Sequence, residues 1–167
     1  MSKPSALDPF LAKYEEGIAS QALAVRDELL ALFPRGFELV YDNYNALAFG
    51  FSPTERASDV LVSVAAYPRW VTLFFLNGAQ LPDPAKVLQG SGSRVRSVRL
   101  APASVLHSAP VQELLRMVVS EAKSAFALAP PLTTVVKSVS AKQRPRKPPA
   151  SKQRSAGVTK RAKRSGA

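Results

Sequence analysis

The stretch 59–76, DVLVSVAAYPRWVTLFFL, decides how the rest of the chain is read. Val60, Val62 and Val64 alternate with Leu61, Ser63 and Ala65, and Val71, Leu73 and Phe75 alternate with Thr72, Phe74 and Leu76, the period of two that marks β-strands. Between the two runs lies Tyr67-Pro68-Arg69-Trp70. Proline has no amide hydrogen for a strand ladder and fixes its own φ, so Pro68 predicts a tight corner joining two paired strands. Bulky apolar groups on both faces of 71–76 predict a central strand covered on both sides, or one covered on one side with Phe74 reaching a flanking element.

Toward the N-terminus, Asp8-Pro9 has the chemistry of a helix start, with Asp8 as the N-cap. Leu11, Tyr14, Ile18, Ala22, Val25, Leu29 and Leu32 step by three and four along one helical stripe. Gly17, about 1 kcal/mol worse than alanine in a helix interior, marks where that helix is expected to divide. Phe33-Pro34-Arg35-Gly36 ends it. Short strands are then expected at Glu38–Tyr41 and Asn45–Phe51, with Asp42-Asn43 as the turn. Leu47, Phe49 and Phe51 share one face, and the small Ala46, Ala48 and Gly50 on the other leave room for a close neighbour.

Beyond the corner, Asn77-Gly78 signals a turn, Leu81–Gln89 a loop and Gly90–Ser93 a flexible link. Arg94–Leu100 reads as a last strand at a sheet edge, where its arginines discourage further pairing. Ser108 and Pro110 open a second helix carrying Val111, Leu114, Leu115, Val118, Ala122 and Phe126 on one face, and Ala129-Pro130-Pro131 closes it. Helix, about five strands, helix is the order of an α+β domain with an antiparallel sheet, spanning residues 1–130.

The net charge of +11 belongs to the C-terminal residues. From Lys137 onward there are eleven cations and no carboxylate, leaving twelve of each sign in residues 1–136. Residues 131–167, rich in Lys, Arg, Pro and Ala, hold too little apolar surface to offset the entropy of ordering and are expected to be a disordered basic tail. Cysteine is absent, which excludes disulfides, thiolate metal sites and cysteine nucleophiles. The N-terminus lacks the apolar run of a signal peptide, so the expected location is cytoplasmic, associated with the nucleoid if nucleic acid is the partner.

Three stretches, YDNYNALAFGF (41–51), YPRWVTLFFLNGAQLPDP (67–84) and GSGSRVRSVRL (90–100), together resemble the YdhG-like family, a bacterial domain family of unknown function. The resemblance spans residues 8–126 and stops short of the tail. It implies a frataxin-like fold with helices at both ends of a small antiparallel sheet. It also implies an iron-chaperone role of the kind proposed for such domains.

Iron asks for oxygen ligands, and the carboxylates offered are Glu15, Glu16, Asp27 and Glu28 on the first helix. Neighbours on a helix point about 100° apart, and the two pairs lie about three turns from each other, so a solvated polar face is the plainer reading. Tyr41, Asp42, Asn43, Tyr44 and Asn45, with Arg69 and Trp70, have the mixture of aromatic walls and polar anchors that lines a small-ligand pocket; the alternative is a turn whose tyrosines cap the core. Arg94, Arg96 and Arg99 would make an anion-binding edge. Gly90–Ser93 precedes a strand, not a helix, which excludes a phosphate loop. No GxSxG, HExxH or paired-carboxylate motif occurs, and a non-enzymatic protein without a cofactor is expected.

The strongest signal is the tail. Lys137, Lys142, Arg144, Arg146, Lys147, Lys152, Arg154, Lys160, Arg161, Lys163 and Arg164 predict binding to DNA, RNA or another polyanion. With no aromatic residue among them to stack on bases, that binding should be independent of sequence.

Overall fold

In the computed structural model, which describes residues 4–149, the chain is α+β: a six-stranded sheet with three helices. The helices are α1 (Asp8–Leu11), α2 (Glu16–Leu32) and α3 (Ala109–Ala127), and the strands are β1 (Phe37–Asp42), β2 (Leu47–Ser52), β3 (Val62–Ala66), β4 (Val71–Phe75), β5 (Arg96–Arg99) and β6 (Thr133–Val139). Among the described residues no helix is long and apolar enough to cross a membrane.

The corner at 67–70 joins β3 and β4 as the alternation requires. Val64 pairs with Leu73, and the Tyr67 amide donates to the Trp70 carbonyl at 2.9 Å, leaving Pro68 and Arg69 as the turn. The strand order is β5-β4-β3-β2-β1-β6. β1 to β5 pair antiparallel, and β6 pairs with β1 in parallel. The sheet is therefore mixed and not purely antiparallel, and a tail disordered from residue 131 gives way to a strand. Thr133–Val139 is rich in β-branched residues, and the free edge of β1 supplies the hydrogen bonds that such a segment lacks alone.

Period-two alternation puts Glu38, Val40, Phe49, Phe51, Val62, Val64, Leu73 and Phe75 on one face, where they join the buried side chains of all three helices in one core. Phe33 at the end of α2 stacks on Phe51 at 5.7 Å and meets Phe126 of α3 at 5.0 Å, so the two long helices converge there. Gly36 makes the following turn with φ +95°. A side chain there would run into the Ser52 carbonyl and the Phe126 ring. Its amide donates to Pro130 O at 2.7 Å, and Thr133 N donates back to Gly36 O at 3.1 Å, which starts β6 alongside β1.

Three local expectations are corrected. The first helix divides at Ala12–Glu15 and not at Gly17, because Tyr14 turns into the sheet; Asp8 is inside α1, whose N-cap is Leu7. Ser108 is the N-cap residue of α3, but its hydroxyl donates back to Val105 O at 2.7 Å in place of capping. Of the two readings of 71–76, the second holds for coverage: β4 lies one strand from the edge with a helix layer on one side only, and Phe74 on its other face is half-buried. The close neighbour of Gly50 is the Val60 side chain.

Candidate nucleic-acid interface

The turn between β1 and β2 is held from beneath. Asp42 ends β1 on the helix face and is fully buried. Lys13 Nζ, from the turn between α1 and α2, reaches its Oδ2 at 2.6 Å, and Arg146 Nη2 reaches its Oδ1 at 2.9 Å. Arg146 also donates to Tyr44 O at 3.1 Å and to Asn43 O, and its guanidinium lies 5.8 Å from the centre of the Tyr14 ring. Burial works to raise the Asp42 pKa, but hydrogen bonding to Lys13, Gln143 and Arg146 outweighs it and holds the carboxyl below the ordinary aspartate range. Burial raises the Tyr14 phenol, whose hydroxyl donates to Ala66 O at 2.7 Å and accepts from Leu47 N at 3.0 Å.

Above that anchor the chain runs back over the turn. Ser140 N donates to Asp42 O and Arg144 N to Tyr44 O, each at 2.8 Å. The Arg144 guanidinium sits 5.6 Å over the Tyr44 ring. A cleft of about 540 Å³ forms between residues 144–149 and the 67–70 corner, lined by Asn45, Tyr67, Pro68, Arg69, Trp70, Arg144, Pro145, Lys147 and two prolines. Three cations line it and no carboxylate does. A cavity of about 650 Å³ at the other end of the sheet includes Asp59 and Glu121, a charge opposite to what a polyanion requires.

The predicted residues separate accordingly. Asn45, Arg69 and Trp70 meet at the cleft, and Asn43 and Tyr44 line the adjoining hollow on the sheet. Asp42 does not belong with them, because it is buried on the opposite face in two ion pairs. Tyr41 is half-buried beside Ala48. Of the basic series, Arg144 and Lys147 line the cleft, and Lys137 and Lys142 are exposed. Arg146 is buried and so is no contact for a polyanion; the expectation for it is corrected. Lys152, Arg154, Lys160, Arg161, Lys163 and Arg164 lie outside the described residues.

Arg94, just before β5, and Arg96 and Arg99 within it each engage a different partner. Arg94 donates to Asn77 Oδ1 at 3.0 Å, Arg96 to Gly92 O at 2.5 Å, and Arg99 lies 4.1 Å over the Trp70 ring. β5 is at the sheet edge as its sequence predicts, yet Gln89 covers part of that edge through paired hydrogen bonds with Ser97. Glu15, Glu16 and Asp27 are exposed along α2, and Glu28 contacts His107 Nδ1 at 3.1 Å. Among the described residues no three His, Cys, Asp or Glu side chains are grouped to hold a metal ion.

Sequence reasoning missed Tyr67, which stacks on Trp70 with ring centres 5.3 Å apart. Counting the period of two through the corner from Ala65 and Thr72 would have put both rings on one face. Comparison with protein-family models, curated proteins and solved structures returns no match, so none of the three supports the YdhG-like resemblance.

Proposed function

We propose that this protein is a non-enzymatic nucleic-acid-binding module that grips phosphate backbones without regard to sequence. The observation that supports the reading is the cleft lined by Arg69, Arg144 and Lys147 with no carboxylate in its walls. The chain that forms one wall of it continues into six further cations, Lys152 to Arg164, with no acidic residue among them. Asp42, in the same turn as Asn45, is neutralised beneath by Lys13 and Arg146, so it does not offset this surface. The iron-handling alternative has no comparable gathering of side chains among the described residues.

Binding of duplex DNA across a salt series tests the proposal, using the full chain and a chain ending at Pro149. The shorter chain keeps β6 and the Arg146 anchor, which a cut at Pro131 would remove. Each phosphate contact contributes about −0.9 to the log–log salt slope. The full chain should show a steep slope and the shortened chain a shallower one with weaker binding. Absence of binding by the full chain at low salt sinks the proposal.

A further inference from the structure

The face of the sheet turned away from the helices is open among the described residues, since all three helices bury their side chains in the core on the other side. On this open face a trough of about 580 Å³ has Ala48, Ser63 and Ala65 as its floor and Tyr44, Tyr67 and Phe74 among its walls. Asn45 and Tyr67 line both the trough and the cationic cleft, so the two adjoin. Aromatic rings therefore stand directly beside Arg69, Arg144 and Lys147.

We propose that the trough takes the unstacked bases of a single-stranded nucleic acid while the cleft holds its phosphates. This rests on the polyanion reading above and adds what the open face does. Single-strand binders join a cationic groove to aromatic side chains on which bases stack, because every base has a π-face whatever its sequence. Charge chooses this occupant: no carboxylate lines either hollow, and the side chains at their junction are cationic, amide or aromatic. The trough volume lies within the range of about 300–1,000 Å³ typical of pockets that enclose a small organic molecule. A duplex keeps its bases stacked inside and presents only phosphates, so it engages the cleft and the basic chain but not the trough.

Trp70 is the only tryptophan, and it stacks on the Tyr67 wall, so its emission reports on the site. The full chain is titrated with oligothymidylate, an abasic strand of the same length and a duplex. Oligothymidylate should quench Trp70 and bind on the order of ten-fold more tightly than the abasic strand. Tyr67→Ala should abolish that difference, so that the two strands bind alike. Should Tyr67→Ala fold poorly, Tyr44→Ala gives the same readout, since the carbonyl of Tyr44 and not its ring makes the structural hydrogen bonds. Equal affinity for the abasic strand and oligothymidylate, with unchanged Trp70 emission, overturns the stacking proposal and leaves the electrostatic one standing. Failure of every strand and of the duplex to bind overturns both.

Discussion

The two faces of the sheet treat charge in opposite ways. On the helix face, Glu38 and Asp42 are fully buried and each has cationic partners: Arg26 reaches Glu38 with two hydrogen bonds of 2.7 and 2.8 Å, and Lys13 and Arg146 clasp Asp42. On the open face, Arg99 lies over Trp70 and Arg144 over Tyr44, with no carboxylate in the hollows beside them. A buried charge must be paired because desolvation is severe, whereas a guanidinium over a ring keeps its charge available to an incoming anion. Charge serves packing on one side and stays at the surface on the other.

Breaking the Asp42 anchor should have the largest effect. Removing one partner of a buried ion pair costs about 3–5 kcal/mol, so Arg146→Ala should lower the unfolding free energy by that order, moderated by Lys13 and read from denaturant titration. Acid should act on the same anchor. The folded Asp42 pKa lies below its unfolded value, so its contribution is complete above the unfolded pKa of about 3.9 and is lost as pH falls through the folded one. Asp42→Asn should accordingly show a stability deficit at neutral pH that narrows in acid, by denaturation at a series of pH values.

Arg26→Ala leaves Glu38 with Thr134 Oγ1 at 3.1 Å as a remaining partner, and about 2–4 kcal/mol should be lost by the same measurement. A loss of comparable size is expected at Gly36, where an added Cβ would meet the Ser52 carbonyl. Its φ of +95° is unfavourable to a side chain by about 1–2 kcal/mol, so Gly36→Ala should destabilise by at least that much, seen as a lower Tm. The smallest effect belongs to the open face. Tyr44→Ala should change the unfolding free energy by less than about 1 kcal/mol, because its ring is half in solvent. A loss at Tyr44 as large as that at Arg26 would erase the distinction between the faces.

How much of this was legible depended on the distance between partners in the chain. The β3–β4 corner could be read because Pro68 and the alternation around it lie within one short window. Helix α3 could be read from one stripe for the same reason. β6 was concealed: the β-branched Thr133–Val136 run is embedded in a Pro-, Lys- and Arg-rich context, and its stability comes from an edge of β1 nearly a hundred residues earlier. Asp42 has the local signature of a turn residue, and nothing near it announces Lys13 or Arg146. The aromatic, cationic and amide members of the cleft, Trp70, Arg69 and Asn45, were recognisable by type. Their separation from Asp42 required knowing which face each one occupies.

The Arg146–Asp42 contact spans 104 residues of sequence and ties the chain just past the last described strand to the end of the first. On a ribosome adding about 5–20 residues per second, Asp42 emerges roughly 5–20 s before its partner. Until β6 arrives the edge of β1 is open, and until Arg146 arrives the Asp42 carboxylate is matched by Lys13 alone. A chain that ends before Thr133 keeps both the open edge and the half-matched carboxylate, and one that ends between Val139 and Arg146 closes the edge without completing the ion pair. The anchor thus makes the end of the first strand depend on a residue made long after it.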